Sequence, residues 1–251
     1  MNFLPTFALH PLRFRYAARP GTPPLSANLL RGAFGSVLKQ ASERDYQRFF
    51  APQASGGPSG LADWPRPFVF RLREPGVIGM NVFVTDDAVI ETFTRALQGI
   101  TAIEMQTGEK TSALRLPLTS AHAAKQVRVH FLTATELKGA GRPEFGVLLA
   151  RLRDRISTLR ALWGEGPLDI DFKAFGERAA RVTMTRCELT EVAAQRVSKN
   201  TGQRHSLGGF TGIAEYHGDL GEFLPYLEIA RYTGVGRQTV WGKGEIAYEV
   251  F

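Results

Sequence analysis

Apolar residues in this chain change period in a fixed order, from two to about 3.6 and back, and the whole order runs through twice. That succession limits the fold more than any single motif, because strand and helix periods do not interchange. Phe7 to Tyr16 alternates roughly, with Leu9, Leu12, Phe14 and Tyr16 apolar and Arg13 and Arg15 facing the other way, and reads as an opening strand. After the loop RPGTPP, Ser26 or Asn28 caps a helix to about Gln40, with Leu29, Leu30, Phe34, Val37 and Leu38 on one face. Pro67 to Leu72 and Asn81 to Thr85 predict a hairpin, Asp86 opens a helix to about Gly99, and another strand is expected near Leu114 to Leu118.

The pattern restarts around Ser120 to Lys125, which sets a boundary between domains 1–122 and 123–251. Gln126 to Thr133 predicts a strand, Pro143 to Leu162 a helix, Leu168 to Phe172, Ala180 to Leu189 and Leu207 to Tyr216 three strands, Glu222 to Tyr232 a short helix, and Gln238 to Phe251 a final strand. Each half is strand, helix, strand, strand, helix, strand, with extra pieces in the second. The expectation is an α+β chain of two tandem ferredoxin-like domains, the arrangement also used by RRM modules. No residue-level repeat supports a duplication; the order of elements alone does.

The terminal stretch YTGVGRQTVWGKGEIAYEVF places Gly234, Gly236, Gly242 and Gly244 around Arg237, Gln238, Thr239 and Lys243. Glycine permits positive φ and close backbone approach, and successive N–H groups beside two cations suit an anion. The same composition also fits a plain hairpin turn. Inside the first helix, Gly32 and Gly35 each cost about 1 kcal/mol against alanine, which points to close packing or ligand approach there.

A net charge of +7, with 31 Lys and Arg in which arginine predominates, favours an anionic partner. Guanidinium forks match phosphate oxygens and stack on bases, so nucleic acid leads, against a basic protein with no such partner. No apolar run approaches the roughly 20 residues of a membrane helix, and a cytoplasmic protein is expected. Cys187 is the single cysteine, which excludes an internal disulfide; within MTRCEL it reads as a buried strand residue. No HExxH, paired-cysteine or DxD pattern calls for a metal, and neither GQRHSLGG nor GVGRQTVWGKG has Walker spacing, so no cofactor is expected. Asp169 and Asp171 in LDIDF read as a solvated strand edge.

Four ordered segments carry a resemblance. GVGRQTVWGKGEI is similar to the glycine-rich loop of the RAMP superfamily, and SLGGFTGIAEYHGDLGEFLPYLEIARY to the segment preceding it in the CRISPR repeat-RNA processing endoribonucleases. PLRFRY with NLLRGAFGSVL resembles their first strand and helix, and FLTATELKG the strand opening their second domain. The resemblance implies a central cleft that holds RNA and metal-independent cutting of CRISPR precursor RNA. In that scheme a ribose 2′-hydroxyl attacks the adjoining phosphate, leaving a 2′,3′-cyclic phosphate. It also implies a repeat hairpin as ligand, other CRISPR effector subunits as partners, and action as a monomer or homodimer. Its alternative is a non-catalytic RNA-binding subunit of the same superfamily.

Many members of that family place a histidine soon after the first helix; here LKQASERDYQRFF has none and offers Lys39, Arg44, Tyr46 and Arg48. The expected roles are charge stabilisation of the phosphorane by Lys39 or Arg44, and positioning of the 2′-hydroxyl by Tyr46, with His10 a further catalytic candidate. A solvated helix end is the plain alternative. For RNA binding the candidates are Arg31 on the first helix, Arg196, Ser198, Lys199, Arg204 and His205 in RVSKNTGQRHS, and Gly236, Arg237, Gln238 and Lys243 in the glycine loop. Arg151, Arg153, Arg155 and Arg160 form a stripe that reads as a solvated helix face or a track for an RNA stem. His122, His130 and His217 read as structural.

Overall fold

The computed structural model describes the chain except for residues 1–4, 22–23, 53–63, 111, 138, 140, 194, 198–203 and 207. The first half runs β1 (Thr6–Ala18), α1 (Ala27–Ala41), α2 (Glu43–Asp45), β2 (Phe68–Arg71), β3 (Val77–Val82), α3 (Asp87–Gln98), β4 (Ile103–Lys110) and β5 (Leu114–Pro117). The second half runs β6 (Gln126–Thr135), α4 (Phe145–Trp163), α5 (Phe172–Ala180), β7 (Thr183–Val192), β8 (Gln195–Val197), β9 (Arg204–Ser206), β10 (Gly209–His217), α6 (Leu224–Thr233) and β11 (Ile246–Val250).

The two main sheets are antiparallel and share one topology. The first has order β2-β3-β1-β4 and the second β11-β6-β10-β7, so in each the fourth main strand of the unit lies beside its first and the third lies between first and second. That is the ferredoxin-like order twice over, as the element sequence predicts. Both long helices of the first unit begin where their capping residues stand. Ser26 accepts the Leu29 N–H at 3.2 Å, and Asp86 accepts that of Ala88 at 2.9 Å.

Three details differ from the sequence reading. The fourth strand of the first unit is β4, whose alternation stops after Met105 in the run Gln106 to Lys110, while β5 pairs instead with the first residues of β1, Thr6 facing Pro117 and Leu9 facing Leu114. Leu168 to Phe172 forms no strand, because Asp171 accepts the N–H groups of Lys173 and Ala174, both at 2.9 Å, and starts α5. Cys187 is half-buried and lines a cavity of about 580 Å³ with Glu136, Arg142 and Phe210, rather than lying in the core.

The two units share apolar packing. One cluster lies beneath the first sheet and its helices, with Phe34 at the centre of edge-on contacts to Phe68, Phe70 and Phe93. The other joins Phe7, Leu9, Val69 and Phe83 of the first unit to Leu152, Ile156, Leu227 and Ala230 of α4 and α6. Polar ties follow the same seam. The Arg160 guanidinium donates to the Thr6 carbonyl at 2.8 Å, and Arg155 donates to that of Thr233 at 3.1 Å. Arg71 and Asn81 both donate to the Tyr232 carbonyl, at 3.0 and 2.9 Å, so three side chains satisfy the C-terminal end of α6. Burial lowers Arg71 to about 10, with Glu245 opposing it, and lowers Arg155 to about 9, with the Arg71 charge adding to the effect. Both stay charged at neutral pH. The arginine stripe of α4 is therefore neither a solvated face nor an RNA track: Arg153, Arg155 and Arg160 hold backbone carbonyls, and only Arg151 of the four is exposed. None of the described helices is long and apolar enough to cross a membrane.

Candidate nucleic-acid interface

α1 sets Arg31, Gly35 and Lys39 four residues apart, on one face. Ser42 then ends α1 and accepts the Asp45 N–H at 3.2 Å, and the chain widens into one π turn, Tyr46–Phe50, closed by the Ala51 N–H on the Tyr46 carbonyl at 2.9 Å. Single π turns are rare and cluster at functional sites. Within this one Tyr46 and Phe50 stack, centroids 5.1 Å apart and planes 24° from parallel. Gly35 makes the room, since a Cβ there would lie 2.3 Å from the tip of the Phe50 ring.

Cations and rings then alternate. The Lys39 ammonium stands 5.4 Å from the Tyr46 ring, and the Arg31 guanidinium 4.7 Å from Phe50 and 5.7 Å from Trp241. Arg66 adds a second guanidinium 5.5 Å from Phe50. Each such contact is worth about 0.5–1 kcal/mol where solvent reaches it. Phe50 is 6% exposed and anchors the row, whereas the Lys39 side chain is 57% exposed and pairs with Glu43 at 3.8 Å. Exposed pairs of that kind hold weakly, which leaves the ammonium available to an anion. Arg44 is exposed just beyond.

Trp241 arrives from the other end of the chain. Gly234, Gly236, Gly242 and Gly244 all have positive φ, from +67° to +81°. At two of them packing demands glycine as well: a Cβ on Gly244 would sit 1.9 Å from the Val235 carbonyl oxygen, and one on Gly236 2.3 Å from that of Glu136. Gln238 is the one non-glycine residue at positive φ among the described residues, at 61°. Its carbonyl accepts the Trp241 N–H at 2.9 Å and so starts a 3₁₀ turn, Thr239–Trp241. Val240 packs on the first-unit core, and Gly242 lies against Ala27 and the Phe70 carbonyl. The glycine segment is thus a strap laid from the second unit across α1 and β2.

The strap's cations are held from within. Lys243 donates to the Gly208 carbonyl at 2.7 Å and to Gln238 Oε1 at 3.0 Å, with Glu136 3.8 Å away. Its side chain is 8% exposed, and burial lowers its pKa, Glu136 opposing and Arg237 adding. Lys243 therefore pins the loop, in contrast to the exposed phosphate contact expected from sequence. Arg237 pairs with Glu136 at 2.8 Å but keeps 59% of its side chain exposed.

The other expected site residues divide. His10 is 4% exposed in an interior strand, facing Val82, and neither ring nitrogen has a hydrogen-bond partner among the described residues; it lies outside the cation and ring row. Ser198 and Lys199 lie outside the described residues. Of Arg196, Arg204 and His205 the backbone alone is described, in the β8–β9 hairpin where Arg196 faces His205. Sequence reading missed Phe50, Arg66 and Trp241 as members of the row. The spacing of Arg31, Gly35 and Lys39 was visible, but nothing in sequence marked the ring that fills the gap at Gly35.

Residues 129–246 match the family model of the CRISPR-associated endoribonuclease Cas6. That stretch, just under half of the chain, is similar to the Cas6 endoribonucleases. The chain's fold is similar to that of Thermus thermophilus Cas6, with a TM-score of 0.63 and 18% identity over 98% of this chain and 100% of that one. A second Cas6, solved as a substrate mimic complex, gives a TM-score of 0.63 and 21% identity over 97% of this chain and 100% of its own. A partial Cas6-RT-Cas1–Cas2 complex gives 0.55 and 13%, over 99% of this chain and 47% of that one. No curated protein matches significantly. The family model covers β10, α6 and the strap but not α1, so the Lys39 to Arg31 half of the row rests on its own geometry.

Two glycines of α1 predict opposite outcomes. A Cβ on Gly32 meets nothing within 4 Å, so Gly32→Ala raises stability by about 0.5–1 kcal/mol, whereas Gly35→Ala displaces Phe50 and lowers it by about 1–3 kcal/mol. Thermal melts of the two variants check this.

Proposed function

We propose that this chain is a Cas6-type endoribonuclease that cuts CRISPR precursor RNA within its repeats without a metal. In this reading a ribose 2′-hydroxyl attacks the adjoining phosphate, leaving a 2′,3′-cyclic phosphate and a free 5′-hydroxyl. The observation that carries the reading is the row of rings and cations along α1, which offers stacking surface for unpaired bases beside an exposed ammonium and a phenol. Lys39 stabilises the charge growing on the phosphorane, Tyr46 orients the 2′-hydroxyl, and Arg44 adds positive potential where the strand enters. His10, buried in the first sheet, has no part in this assignment. Arg31 and Arg237 contact the RNA, and the β8–β9 region, with Arg196, Ser198, Lys199, Arg204 and His205, takes the repeat hairpin by its backbone. Related Cas6 proteins solved in product and substrate mimic complexes, and one within an assembly with Cas1 and Cas2, support RNA as ligand and other CRISPR proteins as partners.

The second reading is a non-catalytic RNA-binding subunit, favoured by the lack of any histidine from Ala27 to Arg66. Incubation in EDTA of labelled repeat RNA, beside the same RNA with a 2′-deoxy nucleotide at the cut, separates the two. The nuclease cuts the first and spares the second; tight binding with both RNAs left intact assigns the chain to the subunit class.

A further inference from the structure

The strap was expected from sequence to hold phosphate through glycine N–H groups, yet much of its backbone is turned inward, the Gly234 N–H to the Ala230 carbonyl at 2.8 Å among others. The N–H groups of Val235, Arg237 and Gly244 donate to the carbonyls of Gly244, Glu136 and Ala134 at 2.9, 3.1 and 3.1 Å. Those of Trp241 and Gly242 donate to Gln238 and Thr239 at 2.9 and 3.0 Å. Lys243 is pinned by the contacts given above, so these N–H groups and the buried ammonium are already occupied within the protein. What the strap does present is a ring. The left-handed turn at Gln238, a backbone conformation held at a cost for any residue but glycine, begins the turn that sets half-buried Trp241 against Arg31.

We infer that Trp241 and Arg31 form a stacking subsite for one unpaired nucleobase of the RNA, so that the strap grips its ligand through an indole and a guanidinium plane. The inference deepens the RNA-binding reading and rests on it. An indole bordered by a guanidinium accepts any base by π contact and tolerates sequence change. Arg31 and Lys39 are eight residues apart on α1, or about 12 Å at 1.5 Å per residue. A short run of single strand therefore reaches from the stacked base to a phosphate at Lys39 and Tyr46. The subsite sets where the strand lies relative to the cut.

The test uses the full chain and repeat RNAs in which each unpaired nucleotide around the cut is replaced, one at a time, by an abasic ribose. Wild-type protein loses about tenfold in affinity at one abasic position, the low end of what one stacked base contributes. Trp241→Leu, with its melt near wild type, loses the same tenfold on intact RNA and nothing further on that abasic RNA, while Trp241→Phe stays within about threefold. Equal weakening by Trp241→Leu on intact and every abasic RNA makes Trp241 a structural anchor and overturns the inference, as does wild-type affinity in that variant. Failure of the wild-type protein to bind any repeat RNA overturns the functional reading beneath it as well.

Discussion

Lys39→Ala slows single-turnover cleavage of a repeat RNA by about a hundredfold while its dissociation constant changes by less than about threefold. The separation follows from geometry. The ammonium lies at the exposed end of the row, 5.4 Å from the Tyr46 ring, and its weak pairing with Glu43 leaves it free to meet charge that develops only as the phosphorane forms. Loss of one preorganised electrostatic donor typically costs 10²–10³ in rate. Tyr46→Phe keeps the stack on Phe50 and removes only the hydroxyl, so it costs about tenfold in rate and leaves binding unchanged. Rates of both variants equal to wild type would remove the chemistry from this end of the row.

Gly244→Ala lowers stability by about 3 kcal/mol and abolishes tight RNA binding. Its φ of +67° strains any other residue, and the new Cβ would sit 1.9 Å from the Val235 carbonyl oxygen, a backbone atom that cannot turn aside. Relief requires the strap to lift, which breaks the Val235 to Gly244 hydrogen bond and draws Trp241 away from Arg31. For a chain of this size such a loss lowers the melting temperature by about 6–12 °C. A melt within about 2 °C of wild type would mean that the strap is not held as described.

Much of the fold was legible in local chemistry. Ser26 and Asp86 cap where their oxygens reach the next N–H groups, and Leu30, Phe34 and Leu38 bury one face of α1 as their spacing predicts, while Leu29, expected on that face, is exposed. Asp171 misled, since a short apolar alternation looks like a strand until its carboxylate takes two N–H groups and begins a helix. The arginines of α4 misled differently. Burial and hydrogen bonding to distant carbonyls at Thr6 and Thr233 decide whether a cation is a surface charge or an internal tie, and neither partner lies near in sequence.

By itself the sequence determined the strand, helix, strand, strand, helix, strand order at the heart of each half, the capped starts of α1 and α3, and the glycines where the backbone turns left-handed. These depend on interactions within a few residues. The tertiary structure alone decided what the turning backbone is for. Arg31 and Trp241 come from opposite ends of the chain, and only the packing of the second unit's strap across α1 brings the indole to the guanidinium. The same packing withdraws Lys243 from solvent. Local periodicity carries no record of such contacts, because the free energy that fixes them comes from side chains far apart in sequence that meet only in the packed structure.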